Sequence, residues 1–113
     1  MKKVLSVLLA ALLLASPAHA AKLPTLRSLS TTWCPACKMM DEVLNEINSN
    51  YKGKLAVEKI DIEKQPDAAK QYNVRYIPTL IFIDANGKEV AQEVGYKSLD
   101  EVLAIFRKAG VNI

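Results

Sequence analysis

The chain has 113 residues, and 15 basic against 12 acidic side chains give it a formal net charge of +3. Its first twenty residues distort that count: Lys2 and Lys3 are followed by an apolar run, Val4 to Ala15, broken only by Ser6, and then by Ala18-His19-Ala20. This is the order of a cleaved secretory signal peptide over residues 1–20, and the run is well short of the roughly 20 residues that span a bilayer.

Removing residues 1–20 takes away Lys2, Lys3 and the single histidine, and leaves 93 residues with 13 basic and 12 acidic side chains. A mature chain of that size, residues 21–113, is expected to be one domain and a monomer. Near-neutral charge excludes the basic footprint of a nucleic-acid binder. Without histidine there is no imidazole acid–base catalysis, Cys–His pair or histidine-containing metal site. No second apolar run is present to insert in a membrane after cleavage.

Thr25 to Ser30 reads as a strand. A helix is predicted to open at the cysteines, where Pro35 suits the first turn and Met40, Val43, Leu44 and Ile47 recur at helical spacing; Asn48-Ser49-Asn50 and Gly53 end it. Leu55 to Ile62 is a second strand and Pro66 to Tyr72 a short helix. Thr79 to Asp84 is a third strand, running through Asn86-Gly87, a two-residue hairpin signal, into a fourth at Glu89 to Val94. Ser98-Leu99-Asp100-Glu101 is a capping box for a last helix that places Leu99, Val102, Leu103 and Phe106 on one face and stops at Gly110. The order is β-α-β-α-β-β-α, an α/β class chain without repeats.

Cys34 and Cys37 are the only cysteines. As a structural staple they would contribute little, since closing a four-residue loop gives about 2 kcal/mol against about 4.7 for a 100-residue loop. As half of a four-cysteine zinc site they lack a second pair. Redox chemistry remains. Cys34 falls where a strand meets a helix, and the unpaired N–H groups and positive dipole end there stabilise a sulfur anion. Cys37 lies one turn further in, so Cys34 is expected to attack a partner disulfide and Cys37 to resolve the mixed disulfide. Met39 and Met40 extend the pair into a soft-ligand cluster able to hold Cu(I), which makes a copper carrier the alternative reading. Met40 also fits the apolar stripe of the helix, and core packing is the commoner use of a methionine there.

Trp33-Cys34-Pro35-Ala36-Cys37-Lys38, Val57 to Ile62, Tyr72 to Leu80, Asn86-Gly87-Lys88 and Val94-Gly95-Tyr96 together resemble the thioredoxin superfamily, over nearly all of the mature domain. The resemblance implies the minimal form of that fold, a four-stranded mixed sheet with helices on both faces, and a thiol–disulfide oxidoreductase that exchanges disulfides with protein partners and needs no metal or organic cofactor. It implies that Pro78 is a cis-proline facing the cysteines, that Ile77 pairs its backbone with a bound substrate, that Trp33 flanks the nucleophile and that Gly95 lets substrate approach. Pro35 and Ala36, between the cysteines, tune the reduction potential. Two departures stand out. Ser28 occupies the position of the buried acid that serves the second cysteine, although Lys59 matches its companion lysine, so proton relay is expected to pass through Lys59 or water. The strand and helix that precede the motif strand in thioredoxin are replaced here by Ala21 to Pro24 alone. Since there is no inserted helical domain of the kind oxidising relatives carry, the resemblance favours an exported, periplasmic reductant fed with electrons by a membrane partner.

Overall fold

The computed structural model describes residues 22–113, so the expected signal peptide lies outside the described residues. Seven elements follow in the expected order: β1 (Thr25–Ser30), α1 (Pro35–Asn50), β2 (Ala56–Asp61), α2 (Pro66–Gln71), β3 (Thr79–Ile83), β4 (Glu89–Val94) and α3 (Leu99–Lys108). The strands form one mixed sheet in the order β2-β1-β3-β4. β1 runs parallel to β2 and antiparallel to β3, and β3 pairs antiparallel with β4.

Side-chain alternation along the central strands builds two cores. Leu26, Leu80 and Phe82 face α1 and α3, meeting Met40, Val43, Leu44, Ile47, Val102, Leu103 and Phe106. Leu29, Ile81 and Ile83 face the other way, against Ala68, Tyr72 and Val74 in and after α2. Every residue of β3 is buried, as a strand covered on both faces requires. Ser28 and Ser30 share the α1 face of β1 with Leu26, because they are spaced by two. Both are buried polar residues at the edge of the larger core.

Local sequence explains the ends of the elements. In α3 both halves of the capping box form: the Glu101 N–H donates to Ser98 Oγ at 3.2 Å, and the Ser98 N–H donates to Glu101 Oε1 at 2.8 Å. α1 continues through Asn48-Ser49-Asn50, since nothing there denies helical backbone, and ends at Tyr51, whose N–H still donates to the Ile47 carbonyl. The hairpin corrects the expected two-residue turn. A two-residue Asn-Gly turn needs positive φ at both positions, and of the two only Gly87 has it, at +85°. The loop is instead three residues, with the Gly87 N–H donating to the Asp84 carbonyl at 3.0 Å and the Asp84 N–H to the Lys88 carbonyl at 2.8 Å. Asp84 stabilises this longer form, because its Oδ1 accepts from the N–H groups of Asn86 and Lys88.

The ring of Phe82 meets that of Phe106 edge-on at 4.9 Å between centroids, both fully buried. Replacing Phe106 by alanine is expected to lower the unfolding free energy by about 3–5 kcal/mol, to be read as a fall in urea midpoint at unchanged slope.

Candidate active site

The site assembles where β1 hands over to α1. Cys34 is the N-cap of α1, with extended backbone (φ −87°, ψ 120°), and Pro35 takes the first helical position, where a missing N–H costs nothing. A serine, threonine or aspartate oxygen usually receives the free N–H groups of a helix start. Here a sulfur does so: the Cys37 N–H donates to Cys34 Sγ at 3.1 Å. A backbone donor aimed at that sulfur, at the positive end of a 16-residue helix, supports negative charge on it.

Both cysteines are free thiols and both are buried, Cys34 at 5% exposure and Cys37 at 1%. Their surroundings differ. Burial, together with a hydrogen bond to Cys34 and the negative charge of Cys34 and Asp41, pushes the Cys37 thiol up from 9.0 to about 11, against a smaller opposing effect of the Thr31 backbone. Cys37 is therefore a thiol at neutral pH.

The other expected site residues converge on this junction. The Cys34 thiol points at the Ile77 carbonyl, 3.9 Å away. The Ile77–Pro78 peptide is cis, and Pro78 is buried. Gly95 follows β4, has φ +94°, and donates its N–H to the Pro78 carbonyl at 2.7 Å, so it closes the same corner. Positive φ rather than lack of space requires glycine there, since a Cβ would meet nothing within 4 Å. Trp33 is 64% exposed beside the pair, and Tyr76, Val94 and Tyr96 are exposed around it. Pro35 is exposed and Ala36 half-buried between the two cysteines. Met40 is fully buried in the core, whereas Met39 is exposed.

Two residues were missed by sequence reasoning. The segment Glu63 to Asp67 reads as a polar connection, yet Glu63 Oε2 accepts a 2.9 Å hydrogen bond from the Trp33 indole and holds that ring over the site entrance. Lys59, expected to share the proton relay with water, donates to Asp41 Oδ2 at 2.7 Å. The position of Asp41, four residues after Cys37 on a helix, is the signal by which it was findable. The surface cavity lined by Arg27, Tyr72, Asp84 and Asn86 lies beside the opposite end of β1 and has no part in this arrangement.

A buried dithiol at a helix start, facing a cis-proline corner of a four-stranded mixed sheet, defines a thiol–disulfide oxidoreductase. The family model described as Thioredoxin matches residues 18–108, and the chain belongs to the thioredoxin family, in its minimal fold. Thioredoxin of Staphylococcus aureus is 36% identical over 77 residues, which cover 68% of this chain and 73% of that one. Among solved structures, the one described as "Structure of a malarial protein" superposes with a TM-score of 0.72 at 22% identity, covering 79% of this chain and 99% of its own. Another, "Structural insights into thioredoxin-2: a component of malaria parasite protein secretion machinery", gives 0.70 at 22% identity, with 81% and 88% covered. These two likenesses bear on the fold alone.

Folding raises the affinity of Cys37 for its proton, so this group stabilises the reduced protein below pH 9 and the contribution is lost as pH rises through about 11. At pH 7.5 iodoacetamide is expected to label the folded, reduced protein once, at Cys34, with a second label at Cys37 appearing only near pH 11 or on unfolding; mass spectrometry of the peptides reads both.

Proposed function

We propose that this protein is an exported reductant of protein disulfides, in which Cys34 is the attacking thiolate and Cys37 the resolving thiol. The observation that carries the reading is the Cys34 sulfur at the helix start, receiving the Cys37 N–H while pointing at Ile77 of the cis-proline corner. The attacking sulfur has a donor that supports its charge, and the second sulfur is one turn away with its proton retained. Attack by Cys34 on a partner disulfide gives a mixed disulfide; attack by Cys37 on Cys34 then closes the Cys34–Cys37 disulfide and releases the partner reduced.

The surroundings favour a polypeptide substrate. Trp33, Tyr76, Val94 and Tyr96 form an open apolar rim, suited to an unfolded or extended segment. Ile77, at the mouth of the site, pairs its backbone with that segment, and Gly95 keeps the opposite wall free of a side chain. Pro35 and Ala36 set the potential by shaping the first helical turn that carries both sulfurs.

The reductant direction is supported by the thioredoxin relatives and by the continuous order of elements, which carries no inserted domain between α1 and β3. Export is supported by the basic, apolar and small-residue order of residues 1–20, and the proposed site of action is the periplasm, or the exterior of the cell where there is no outer membrane. Each turnover leaves the protein oxidised, so a reductant there draws its electrons from a membrane partner. The copper-carrier alternative keeps only Cys34, Cys37 and Met39 as soft ligands, because Met40 is enclosed by the core.

Cys37→Ser is expected to accumulate mixed disulfides through Cys34 in an extract of exported proteins; adducts on neither sulfur would overturn the assignment of roles. Equilibration against glutathione should give a reduction potential nearer about −270 mV than about −120 mV, and a value at the oxidising end would reverse the direction proposed.

A further inference from the structure

Resolution of the mixed disulfide needs the Cys37 sulfur as an anion, and the site makes that anion scarce. Burial, the largest of the effects that push the Cys37 thiol up, is still present in the mixed disulfide, so little of Cys37 is ionised at pH 7. Nothing on the strands beneath can take the proton as a base at that pH. β1 offers the hydroxyls of Ser28 and Ser30, and Thr31 follows; all three are buried and lack a hydrogen-bond partner within the chain. β3 offers Leu80 and Phe82, and α3 offers Val102, Leu103 and Phe106. The titratable groups that act on Cys37 are Cys34 and Asp41, both of α1, and Lys59 of β2 is paired with Asp41.

Asp41 is the one carboxylate among them, and its placement is specific. It lies four residues after Cys37 on α1, hence on the same face and one turn along. Its two oxygens do different things. Oδ2 is held by Lys59 Nζ at 2.7 Å, whereas Oδ1 is buried and has no partner in the chain. Lys59 in turn is the register neighbour of Ser28, so the ion pair borders the buried hydroxyls. A groove of about 380 Å³ lined by Asp41, Leu44, Asn45, Asn48, Val57 and Lys59 opens between α1 and β2, with room for several waters at roughly 30 Å³ each. The carboxylate thus stands one turn along α1 from Cys37 and borders a groove open to solvent.

We propose that Asp41, positioned by Lys59, accepts the Cys37 proton in the resolving step and passes it to solvent through the groove between α1 and β2. This rests on the dithiol reading of the site. The Cys37 S–H bond breaks and its proton goes to the Asp41 carboxylate, directly or through a water. The sulfur's electron pair forms the bond to Cys34 Sγ, and the bond between Cys34 and the partner sulfur breaks with its pair on the partner. The partner thiolate takes up a proton, so one dithiol is oxidised as one disulfide is reduced.

The two steps separate when the reduced full chain is mixed with 5,5′-dithiobis(2-nitrobenzoate) in a stopped-flow spectrometer, since the first thionitrobenzoate reports attack by Cys34 and the second reports resolution by Cys37. In Asp41→Asn the first phase should be unchanged and the second slowed about tenfold or more at pH 7, within the range of general-base effects, with the deficit closing towards pH 11 as hydroxide replaces the carboxylate. Asp41→Glu should recover most of the rate. An equal second phase, or a slowing that is uniform across pH 6 to 10, would overturn the proposal. The native protein provides a check free of any substitution: its second phase should be nearly flat from pH 7 to 9, whereas a tenfold rise per pH unit would mean that hydroxide is the base and Asp41 is not. Failure of the oxidoreductase reading looks different, because the native protein would then show no second phase at any pH.

Discussion

The hydrogen bond from the Cys37 N–H to Cys34 Sγ ties the chemistry of this protein to its architecture. It exists only because α1 begins at Cys34, and α1 begins there because β1 ends at Ser30 and Pro35 takes the first helical position. Capping by a sulfur joins a structural need, the free N–H groups of a helix start, to a chemical one, a donor for a reactive sulfur. The same turn that sets Cys34 at the helix start, facing Ile77, buries Cys37 still more completely. Two cysteines of identical chemistry thereby acquire different environments, and the proposed order of attack rests on that difference.

What surrounds the pair is divided between an apolar core and a polar seam. Met40, Leu44 and Ile47 fix α1 to Leu26, Leu80 and Phe82 of the sheet. Above them, on the same face of β1, Ser28 and Ser30 replace apolar side chains, and Asp41 meets Lys59 at the edge of the sheet. A seam of this kind is unfavourable for stability alone, since buried hydroxyls without partners in the chain cost free energy. The proposed proton transfer uses this seam, through the Asp41–Lys59 pair, in a way an apolar seam would not allow. An exposed rim lies around the pair, with Trp33 held by Glu63 and the Pro78 corner braced by Gly95, and the proposed substrate would meet it first.

Most of the fold was legible because the patterns that encode it are local. Met40, Val43, Leu44 and Ile47 face one way by helical spacing, and they are the buried residues of α1 along with Cys37. Ser98 and Glu101 signal a helix start through a reciprocal pair only three residues apart. The hairpin was misread for the opposite reason. Asn86-Gly87 fits a two-residue turn, but Asp84 collects two backbone N–H groups and stabilises a three-residue loop, a competition the dipeptide alone does not reveal. Glu63 escaped notice because its partner, Trp33, is thirty residues away and on another element.

The sequence by itself determined the element order, the apolar faces and the two sulfurs at a strand–helix junction, since each depends on residues within a turn or a strand of one another. The tertiary structure decided what those sulfurs experience. The Cys37 proton is retained chiefly because of burial, and the Asp41 carboxylate one turn along α1 is held by a lysine of β2, eighteen residues away. Electrostatics in a protein interior depends on through-space distance and on exclusion of water. Neither can be counted along a chain, and so the pair was visible in the sequence while the fate of its proton was not.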